Sequence, residues 1–253
     1  MTDAQPRRFA GKVAVVTGGL SGIGQAVAER LAAEGAAVIA ADIAADPAAP
    51  GTGPIRSARL DVTDPSSAAA LMQQIARTHG RLDVLVNSAG IGRNIPFLDT
   101  PLEVFDQIIA VNLRGTFIIG QAAARLMAQG GGGAIVNLGS ISGLRGNAGR
   151  TAYGASKGGV VTLSQVMAVD LAGVGVRVNV VAPGPIETPL IATMASGAGR
   201  EAWLGRIPQR RFGQPGDVAA AVAYLCSEEA GFITGQVLAV DGGFMGGGLL
   251  PAV

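Results

Sequence analysis

Short apolar segments alternate with longer helical segments along almost the whole chain. Runs rich in valine, isoleucine, leucine and alanine predict strands at 13–17, 37–41, 82–86, 134–138, 176–181 and 236–240. The segments between them predict helices at 25–34, 66–78, 102–127, 153–171 and 217–227, with 102–127 forming either one long helix or two joined helices. Strands that are joined through helices run parallel, so the pattern predicts an α/β fold, with a doubly wound parallel sheet of about seven strands and helices on both faces.

The chain is expected to form one domain over residues 1–253. Hydrophobic residues make up 49% of the sequence and charged residues 15%, a composition that excludes general disorder. No linker divides the chain, and the glycines at 130–133 are typical of a loop between a helix and a strand. We expect residues 1–10 to be a flexible N-terminal segment.

Charge and composition exclude several classes of function. The net charge of +1 offers no field for a nucleic acid or an anionic membrane. No run of strongly apolar residues is long enough to span a bilayer, and the N-terminal residues do not resemble a secretory signal, so we expect a cytoplasmic protein. The single cysteine excludes an internal disulfide, and the single histidine argues against a metal site or a Ser-His-Asp triad.

A glycine-rich segment follows the first predicted strand and opens the first helix. It reads T-G-G-L-S-G-I-G from Thr17 to Gly24. Glycines at such a turn let the backbone approach a pyrophosphate, and the helix N-terminus offers N–H groups to the anion. The context predicts a single-domain Rossmann fold with a dinucleotide held by Gly18, Leu20, Ser21, Gly22, Ile23 and Gly24.

An aspartate at the end of the second strand predicts which dinucleotide is bound. Asp42, followed by Ile43, lies where a carboxylate accepts hydrogen bonds from the adenosine ribose and repels a 2′-phosphate. No lysine or arginine stands next to it in the sequence, and Ser21 occupies a loop position where a basic residue would pair with that phosphate. We therefore predict NAD rather than NADP.

Tyr153 and Lys157 are spaced four residues apart on a predicted helix and so share one face. A cation close to a phenol favours the phenolate and lowers the pKa of the phenol. A tyrosine with a lowered pKa is a usable general acid or base. By itself this spacing is common, and its weight comes from the motifs that accompany it.

Together these motifs resemble the short-chain dehydrogenase/reductase family. The resemblance runs from about Gly11 to Gly243, and its order and spacing are specific. Besides the glycine loop, the motifs that carry it are N-S-A-G at 87–90, Asn112, Ser140, Y-G-A-S-K at 153–157 and P-G at 183–184. Asn-Ser-Ala-Gly departs mildly from the usual Asn-Asn-Ala-Gly, and Gly139 stands where a serine is common.

The resemblance implies four catalytic residues. Tyr153 is the expected general acid/base, and Lys157 is expected to lower its pKa and to bind the nicotinamide ribose. Ser140, rather than Ser142, is expected to hold the substrate oxygen. Asn112 is expected to kink its helix and to help hold a water in a proton relay.

The resemblance also implies further contacts with the cofactor. Adenine is expected near Asp61 and Val62, and the carboxamide near Ile186 and Thr188. The other expected cofactor residues are Asn87, Ala89, Gly90, Val111, Pro183 and Gly184. It further implies a homotetramer, and burial of Phe232 and of the apolar tail 244–253 in its interfaces is consistent with that assembly.

The substrate pocket is predicted less closely than the cofactor site. Residues 185–210 are expected to cover it as a lid, which carries Met194 and Trp203, with glycines at 197 and 199 that permit movement. Candidate substrate residues are Arg93, Asn94, Ser142, Arg145, Asn147 and Trp203. For each of the loop residues, an ordinary solvated position is an equally good interpretation.

The expected activity is NAD(H)-dependent oxidoreduction between a secondary alcohol, such as a sugar or polyol, and its ketone. Two alternatives stay open. The same motifs fit 3-oxoacyl carrier-protein reductases, which usually favour NADP. A protein of another class, a non-catalytic NAD(H)-binding sensor or scaffold, would bind NADH without turning over any alcohol or ketone.

Overall fold

The fold is built on one parallel sheet. The protein was examined as a computed structural model, which describes residues 7–46, 48, 51, 53–192 and 198–247. The strands are β1 (Val13–Thr17), β2 (Ala37–Asp42), β3 (Ile55–Arg59), β4 (Val84–Asn87), β5 (Gly133–Leu138), β6 (Val176–Pro183) and β7 (Val237–Val240). Their order is β3-β2-β1-β4-β5-β6-β7, and each neighbouring pair is parallel. The predicted sheet of about seven parallel strands is confirmed.

Helices connect the strands. They are α1 (Gly22–Ala33), α2 (Pro65–His79), α3 (Leu102–Ile109), α4 (Gly115–Gln129), α5 (Thr151–Leu171), α6 (Pro189–Ala192), α7 (Ala198–Arg206) and α8 (Pro215–Cys226). The segment expected to form one long helix or two joined helices is α3 and α4, joined by a π-helical turn at Ala110–Arg114. None of the helices in the described ranges is long and apolar enough to cross a membrane.

Each face of the sheet is covered by its own hydrophobic core. On one face, Val27 and Leu31 of α1 pack with Val222 of α8 against the inner strands. On the other face, Leu71 of α2 and Ile119 of α4 belong to the second core. Burial of apolar side chains on both faces explains why the central strands are continuous apolar runs.

Two features differ from the sequence expectations. Strand β3 was not among the predicted segments, because its sequence Ile-Arg-Ser-Ala-Arg is half exposed at the sheet edge and carries no apolar run. The expected flexible segment 1–10 is ordered where it is described: Phe9 is buried, and Arg8 Nε donates to Glu34 Oε2 at 2.6 Å. Residues 1–6 lie outside the described ranges.

The chain order of the strands places the functional loops together. The order of the strands in the sheet reverses at β1. Strands β2 and β3 are added on one side of β1, and strands β4 to β7 are added on the other side. In such sheets, a crevice opens at the carboxyl ends of the strands at this point. The loops after β1, β2, β4, β5 and β6 all end at that edge.

Candidate active site

A cleft of about 540 Å³ occupies this edge of the sheet. It extends from the glycine-rich loop after β1 to the start of α5. Of the predicted residues, those on its wall are Gly18, Ser21, Gly22, Ile23, Gly24, Asp42, Ile43, Asp61, Val62, Ala89, Gly90, Val111, Ser140, Tyr153, Lys157, Pro183, Gly184, Ile186 and Thr188. Segments that are far apart in the sequence therefore meet in one site.

The glycine-rich loop forms a tight cradle. Gly18 has φ +63°, and a Cβ at this position would lie 2.9 Å from Ala89 Cα. A Cβ on Gly24 would lie 2.1 Å from the Gly18 carbonyl oxygen. Helix α1 begins at Gly22, and the side chain of Ser21 does not cap it, so the first N–H groups of the helix are open to an anion. These residues fit the pyrophosphate of a dinucleotide.

Asp42 lies on the cleft wall next to this cradle. One carboxylate oxygen accepts from the Leu20 N–H at 3.4 Å, and the other accepts from the Ala44 N–H at 3.0 Å. Leu20 itself is outside the wall of the cleft. The sequence showed no basic neighbour for Asp42, but in the sheet its register partner is Arg59 of β3.

Asp61 follows β3 at the same side of the cleft. Its carboxylate accepts from the backbone N–H of Thr63 at 2.9 Å and from the Thr63 hydroxyl at 2.7 Å. These hydrogen bonds, together with the charge of Arg59, lower the pKa of Asp61. A fixed carboxylate and the side chain of Val62 therefore form the wall where adenine is expected.

Tyr153 lies on the first turn of α5 and faces Ser140, which follows β5. Burial raises the pKa of Tyr153, while the hydrogen bond with the Ser140 hydroxyl and the positive charge of Arg150 lower it, and the net shift is upward. Ser140 Oγ also accepts from the Ser142 N–H at 3.1 Å, which fixes the serine at the start of its turn. The two hydroxyls provide one point for holding a substrate oxygen and exchanging its proton.

Lys157 is buried one turn further along α5. Its Nζ donates to the Leu138 carbonyl at 2.7 Å and lies 5.9 Å from the centroid of the Tyr153 ring. Burial lowers the pKa of Lys157 to about 8. The groups that lower the pKa of Tyr153 in this structure are the Ser140 hydroxyl and the Arg150 charge, and the predicted effect of Lys157 on Tyr153 stays a prediction.

Asn112 lies in the π-helical turn between α3 and α4, where the sequence predicted a kink. Its side chain is fully buried beneath the cleft. Oδ1 accepts from the Ile91 N–H, and Nδ2 donates to the Ile91 carbonyl, both at 2.9 Å. Nδ2 also donates to Ser156 Oγ at 3.0 Å. Asn112 thus connects the loop after β4 to helix α5.

Asn87 differs in position from the other predicted cofactor residues. Its side chain donates to Asn137 Oδ1 at 2.8 Å, and Asn137 in turn donates to Ser164 Oγ at 2.8 Å. This buried chain of hydrogen bonds ties β4 to β5 and α5. Asn87 therefore lies beneath the cleft, and the neighbouring Ser88 lies on the wall instead.

Thr188 lies on the cleft wall beside the glycine-rich loop. A Cβ on Gly22 would lie 3.4 Å from Thr188 Cγ2, so the loop after β6 contacts the glycine-rich loop. The Thr188 hydroxyl donates to the Ile186 carbonyl at 3.2 Å and accepts from the Ile191 N–H at 3.3 Å. These bonds begin α6, the first part of the predicted lid.

Helix α7, in the described part of the predicted lid, packs against a small apolar cluster. Trp203 in α7 lies on the cleft wall and contacts Phe244, with ring centroids 5.2 Å apart. Phe244 is buried with Ile207 and Phe212. Met194 and Gly197, on which part of the lid prediction rested, lie outside the described residues.

Only part of the predicted substrate set reaches the cleft. Ser142 and Trp203 are on its wall, whereas Arg93, Asn94, Arg145 and Asn147 are not. Arg93 is exposed and donates to the Gly92 carbonyl at 3.2 Å. Asn147 acts on the site indirectly, since it donates to Ser142 Oγ at 3.2 Å.

Several wall residues were missing from the sequence prediction. Arg150 is the most prominent, and Gln107, Ile191 and Gly139 also line the cleft. The spacing of three residues between Arg150 and Tyr153 was a signal that the sequence contained, because residues three apart share a helix face. Within the described residues, no group of three or more potential metal ligands occurs.

Comparison with known proteins places this site among related ones. The family model described as "Enoyl-(Acyl carrier protein) reductase" matches residues 18–245. The chain is 42% identical over 245 residues to the 3-oxoacyl-[acyl-carrier-protein] reductase FabG of Thermotoga maritima, covering 94% of this chain and 99% of the relative. It is 44% identical over 248 residues to the cis-4-hydroxycyclohexanecarboxylate dehydrogenase of Sinomonas cyclohexanicum, covering 93% and 97%.

A solved structure with a closely similar fold also belongs to a family of dehydrogenases and reductases. The structure of a short-chain type dehydrogenase/reductase from Mycobacterium ulcerans superposes with a TM-score of 0.88 at 35% identity, covering 94% of this chain and 90% of the other. Identity of this extent over nearly the full length, with the glycine loop and the Ser140, Tyr153 and Lys157 cluster in one cleft, leaves one assignment. The chain belongs to the short-chain dehydrogenase/reductase family and is an oxidoreductase.

Proposed function

We propose that this oxidoreductase uses NAD(H) to interconvert a small secondary alcohol and its ketone, with Tyr153 as the general acid/base. One observation carries the proposal. Ser140 and Tyr153 lie together on the wall of the same cleft that holds the glycine-rich cradle, and the Ser140 hydroxyl is close enough to lower the pKa of Tyr153. A proton-transfer group and a dinucleotide cradle in one crevice are the two parts that alcohol oxidation requires.

In this proposal, the protein positions the substrate and moves its proton. The Ser140 hydroxyl holds the substrate oxygen. In oxidation, the Tyr153 phenolate accepts the alcohol proton, and in reduction the phenol donates a proton to the developing alkoxide. A bound nicotinamide supplies the hydride chemistry.

Lys157 and Asn112 support these two hydroxyls. We assign to Lys157 the binding of the nicotinamide ribose. Its burial in the cleft beside Tyr153 supports this role. We assign to Asn112 the support of the proton path. Its bond to Ser156, whose hydroxyl donates to the Tyr153 carbonyl at 2.8 Å, supports that role by fixing the turn that carries Tyr153.

The preference for NAD over NADP rests on Asp42. Its carboxylate lies above the glycine loop, where it would accept from ribose hydroxyls and repel a 2′-phosphate. Arg59 acts against this preference, because it offers a positive charge on the neighbouring strand. Asp42 lies on the cleft wall and Arg59 does not, which favours NAD.

A second candidate function is 3-oxoacyl carrier-protein reduction. The Thermotoga maritima relative that bears this name is 42% identical along the whole chain, which favours it. The two candidates differ in direction and substrate. A reductase of this kind would reduce an acetoacetyl thioester with NADPH far faster than it would oxidise any small alcohol.

We further propose that the protein assembles as a homotetramer. Apolar side chains left at the surface of the described chain support this, among them Phe232, which is fully exposed, and Val169 on α5, which is 79% exposed. Light scattering coupled to size-exclusion chromatography would measure a mass four times that of the 25.2 kDa chain. A monomeric mass would contradict the assembly.

The deciding experiment is a substrate panel. Polyols, sugars, hydroxy acids and other secondary alcohols are tested for NADH formation at alkaline pH, in parallel with NAD and NADP. Acetoacetyl thioester reduction is measured with both reduced cofactors. Turnover of an alcohol with NAD supports the proposal, whereas thioester reduction with NADPH alone supports the second candidate. Binding of NADH without any turnover would instead support the sensor or scaffold alternative.

A further inference from the structure

Arg150 occupies the substrate end of the cleft, beside the proton-transfer residue. It immediately precedes α5, and its guanidinium carbon lies 5.2 Å from the centroid of the Tyr153 ring. Its side chain is on the cleft wall together with Ser140 and Ser142. A fixed positive charge thus stands next to the two hydroxyls that would hold the reacting oxygen.

The backbone of two loops holds Arg150 in this place. Its N–H donates to the Asn147 carbonyl at 3.2 Å, and its carbonyl accepts from the Gly154 N–H at 2.6 Å. It also pairs with Ile95 in a parallel bridge, which joins the loop after β4 to the loop before α5. The arginine is therefore part of the built wall of the site and not a side chain at a free loop tip.

The loop after β4 packs against Arg150 and Tyr153 at a glycine. A Cβ at Gly92 would lie 3.1 Å from Tyr153 Cδ2 and 3.7 Å from Arg150 Nη1. Any larger residue at 92 would crowd the Tyr153 ring, so the loop after β4 packs directly against this ring and reaches the guanidinium beside it.

The charges of the cleft are divided between its two ends. Among the described residues on its wall, the acidic ones are Asp42 and Asp61, which follow β2 and β3 at the adenosine end. The basic ones are Arg150 and Lys157, and Lys157 is bonded to the Leu138 carbonyl. Arg150 and Lys157 together give the end of the cleft beside Tyr153 a positive character.

We propose that Arg150 selects a substrate that carries a carboxylate, so that the enzyme acts on a hydroxy acid or keto acid. The inference rests on the proposed alcohol–ketone function and names its substrate class. The guanidinium fork binds the carboxylate while the hydroxyl of the same molecule meets Ser140 and Tyr153. Trp203 and Ile191, also on the wall, suit an apolar ring or chain between the two groups. The relative that is 44% identical is named for such a hydroxy acid.

The first test is a binding measurement that needs no turnover. Calorimetry compares the binding of cyclohexanecarboxylate with that of the neutral cyclohexanecarboxamide. Before each titration the protein is saturated with NADH or NADPH, whichever of the two the protein binds more tightly. Wild type is expected to prefer the carboxylate. Arg150→Gln should weaken carboxylate binding roughly 10- to 100-fold, since a hydrogen bond to a charged group is lost, and leave the amide within about threefold. Arg150→Lys should keep part of the preference.

The control removes the same charge elsewhere. Arg77 is exposed on α2, far from the cleft, and Arg77→Gln should leave both affinities unchanged. Retained cofactor binding shows that each variant is folded. Equal affinity of wild type for the carboxylate and the amide would overturn the inference, as would an equal loss for both ligands in Arg150→Gln.

The second test uses kinetics. The ratio of kcat/KM for cis-4-hydroxycyclohexanecarboxylate to that for cis-4-methylcyclohexanol should fall roughly 10- to 100-fold in Arg150→Gln. Arg150 also lowers the pKa of Tyr153, but this effect acts on both substrates and cancels in the ratio. An unchanged ratio would overturn the inference. If no alcohol is oxidised while the carboxylate preference in binding persists, the proposed reaction fails and the role of Arg150 stands.

Discussion

Asp42 and Arg59 are register partners on the parallel strands β2 and β3, so their side chains stand on the same face of the sheet. Asp42 lies on the cleft wall and carries the predicted preference for NAD. Arg59 is exposed beside it and carries the opposite charge. The proposed preference for NAD therefore depends on two neighbouring residues of opposite charge that are 17 positions apart in the sequence.

Asp42→Ala is expected to raise the use of NADP. Removing the carboxylate ends its repulsion of a 2′-phosphate. The positive charge of Arg59, the register partner of residue 42, is then no longer opposed by that carboxylate. We expect the ratio of kcat/KM for NADP to that for NAD to rise about tenfold or more, the equivalent of about 1.4 kcal/mol. Steady-state kinetics with both cofactors measures it.

Two variants isolate the role of Arg59. Adding Arg59→Gln to Asp42→Ala should remove most of the gain. Asp46→Ala removes an exposed carboxylate from the loop that follows β2 and should leave the ratio unchanged. An unaltered cofactor ratio in Asp42→Ala would refute the assignment of Asp42.

Tyr153→Phe is expected to abolish most turnover. The variant keeps the ring and loses the hydroxyl that exchanges the substrate proton, so kcat should fall about 10²- to 10⁴-fold. Cofactor affinity, followed by NADH fluorescence, should stay close to that of wild type. The matched control is Tyr224→Phe in α8, at the other tyrosine of the chain, and it should retain full activity. Activity near the wild-type level in Tyr153→Phe would exclude the tyrosine as the acid/base.

The buried Lys157 should make stability depend on pH in the cofactor-free protein. Burial lowers its pKa from 10.5 to about 8 in the folded state, so between these values the unfolded chain binds more protons. The free energy of unfolding contributed by this group should therefore rise with pH, by about 1.4 kcal/mol per pH unit. Below pH 8 the contribution is constant and unfavourable.

Comparison with Lys157→Met isolates this contribution. Urea unfolding of both proteins between pH 7 and 10 gives their difference in stability, in which the titration of other groups cancels. The free energy of unfolding of the wild-type protein should increase relative to that of the variant as the pH rises above about 8. A difference that does not change with pH would show that the folded-state pKa of Lys157 is not lowered.

Phe244→Ala is expected to disturb both stability and substrate binding. Phe244 is buried and supports Trp203 on the cleft wall. Its truncation should lower the free energy of unfolding by about 3 kcal/mol and raise KM more than it lowers kcat, because the wall is disturbed and the proton-transfer residues are not. Phe244→Leu, which keeps apolar volume, should restore most of both. A fall in kcat at constant KM would contradict this view of Trp203.

Features carried by neighbouring residues were accessible from the sequence. The cradle is one continuous strand, loop and helix, and its glycines mark positions where a side chain would collide with backbone, as at Gly18 and Gly24. Tyr153 and Lys157 share a helix face because helical spacing is fixed locally. The alternation of apolar runs with helices was sufficient for the parallel sheet, since strands linked through helices must run in the same direction.

Features that depend on segments far apart were decided by the tertiary structure. Strand β3 has no apolar run because it is an edge strand, and only its pairing with β2 places Arg59 beside Asp42. Arg150 looks like an ordinary charged residue before a helix until the loop at Ile95 pairs with it and holds it in the cleft. Local chemistry thus determined the fold class, the cradle and the catalytic motif. The balance of charges around cofactor and substrate was set by packing, because electrostatic interactions depend on distances in space rather than on separation along the chain.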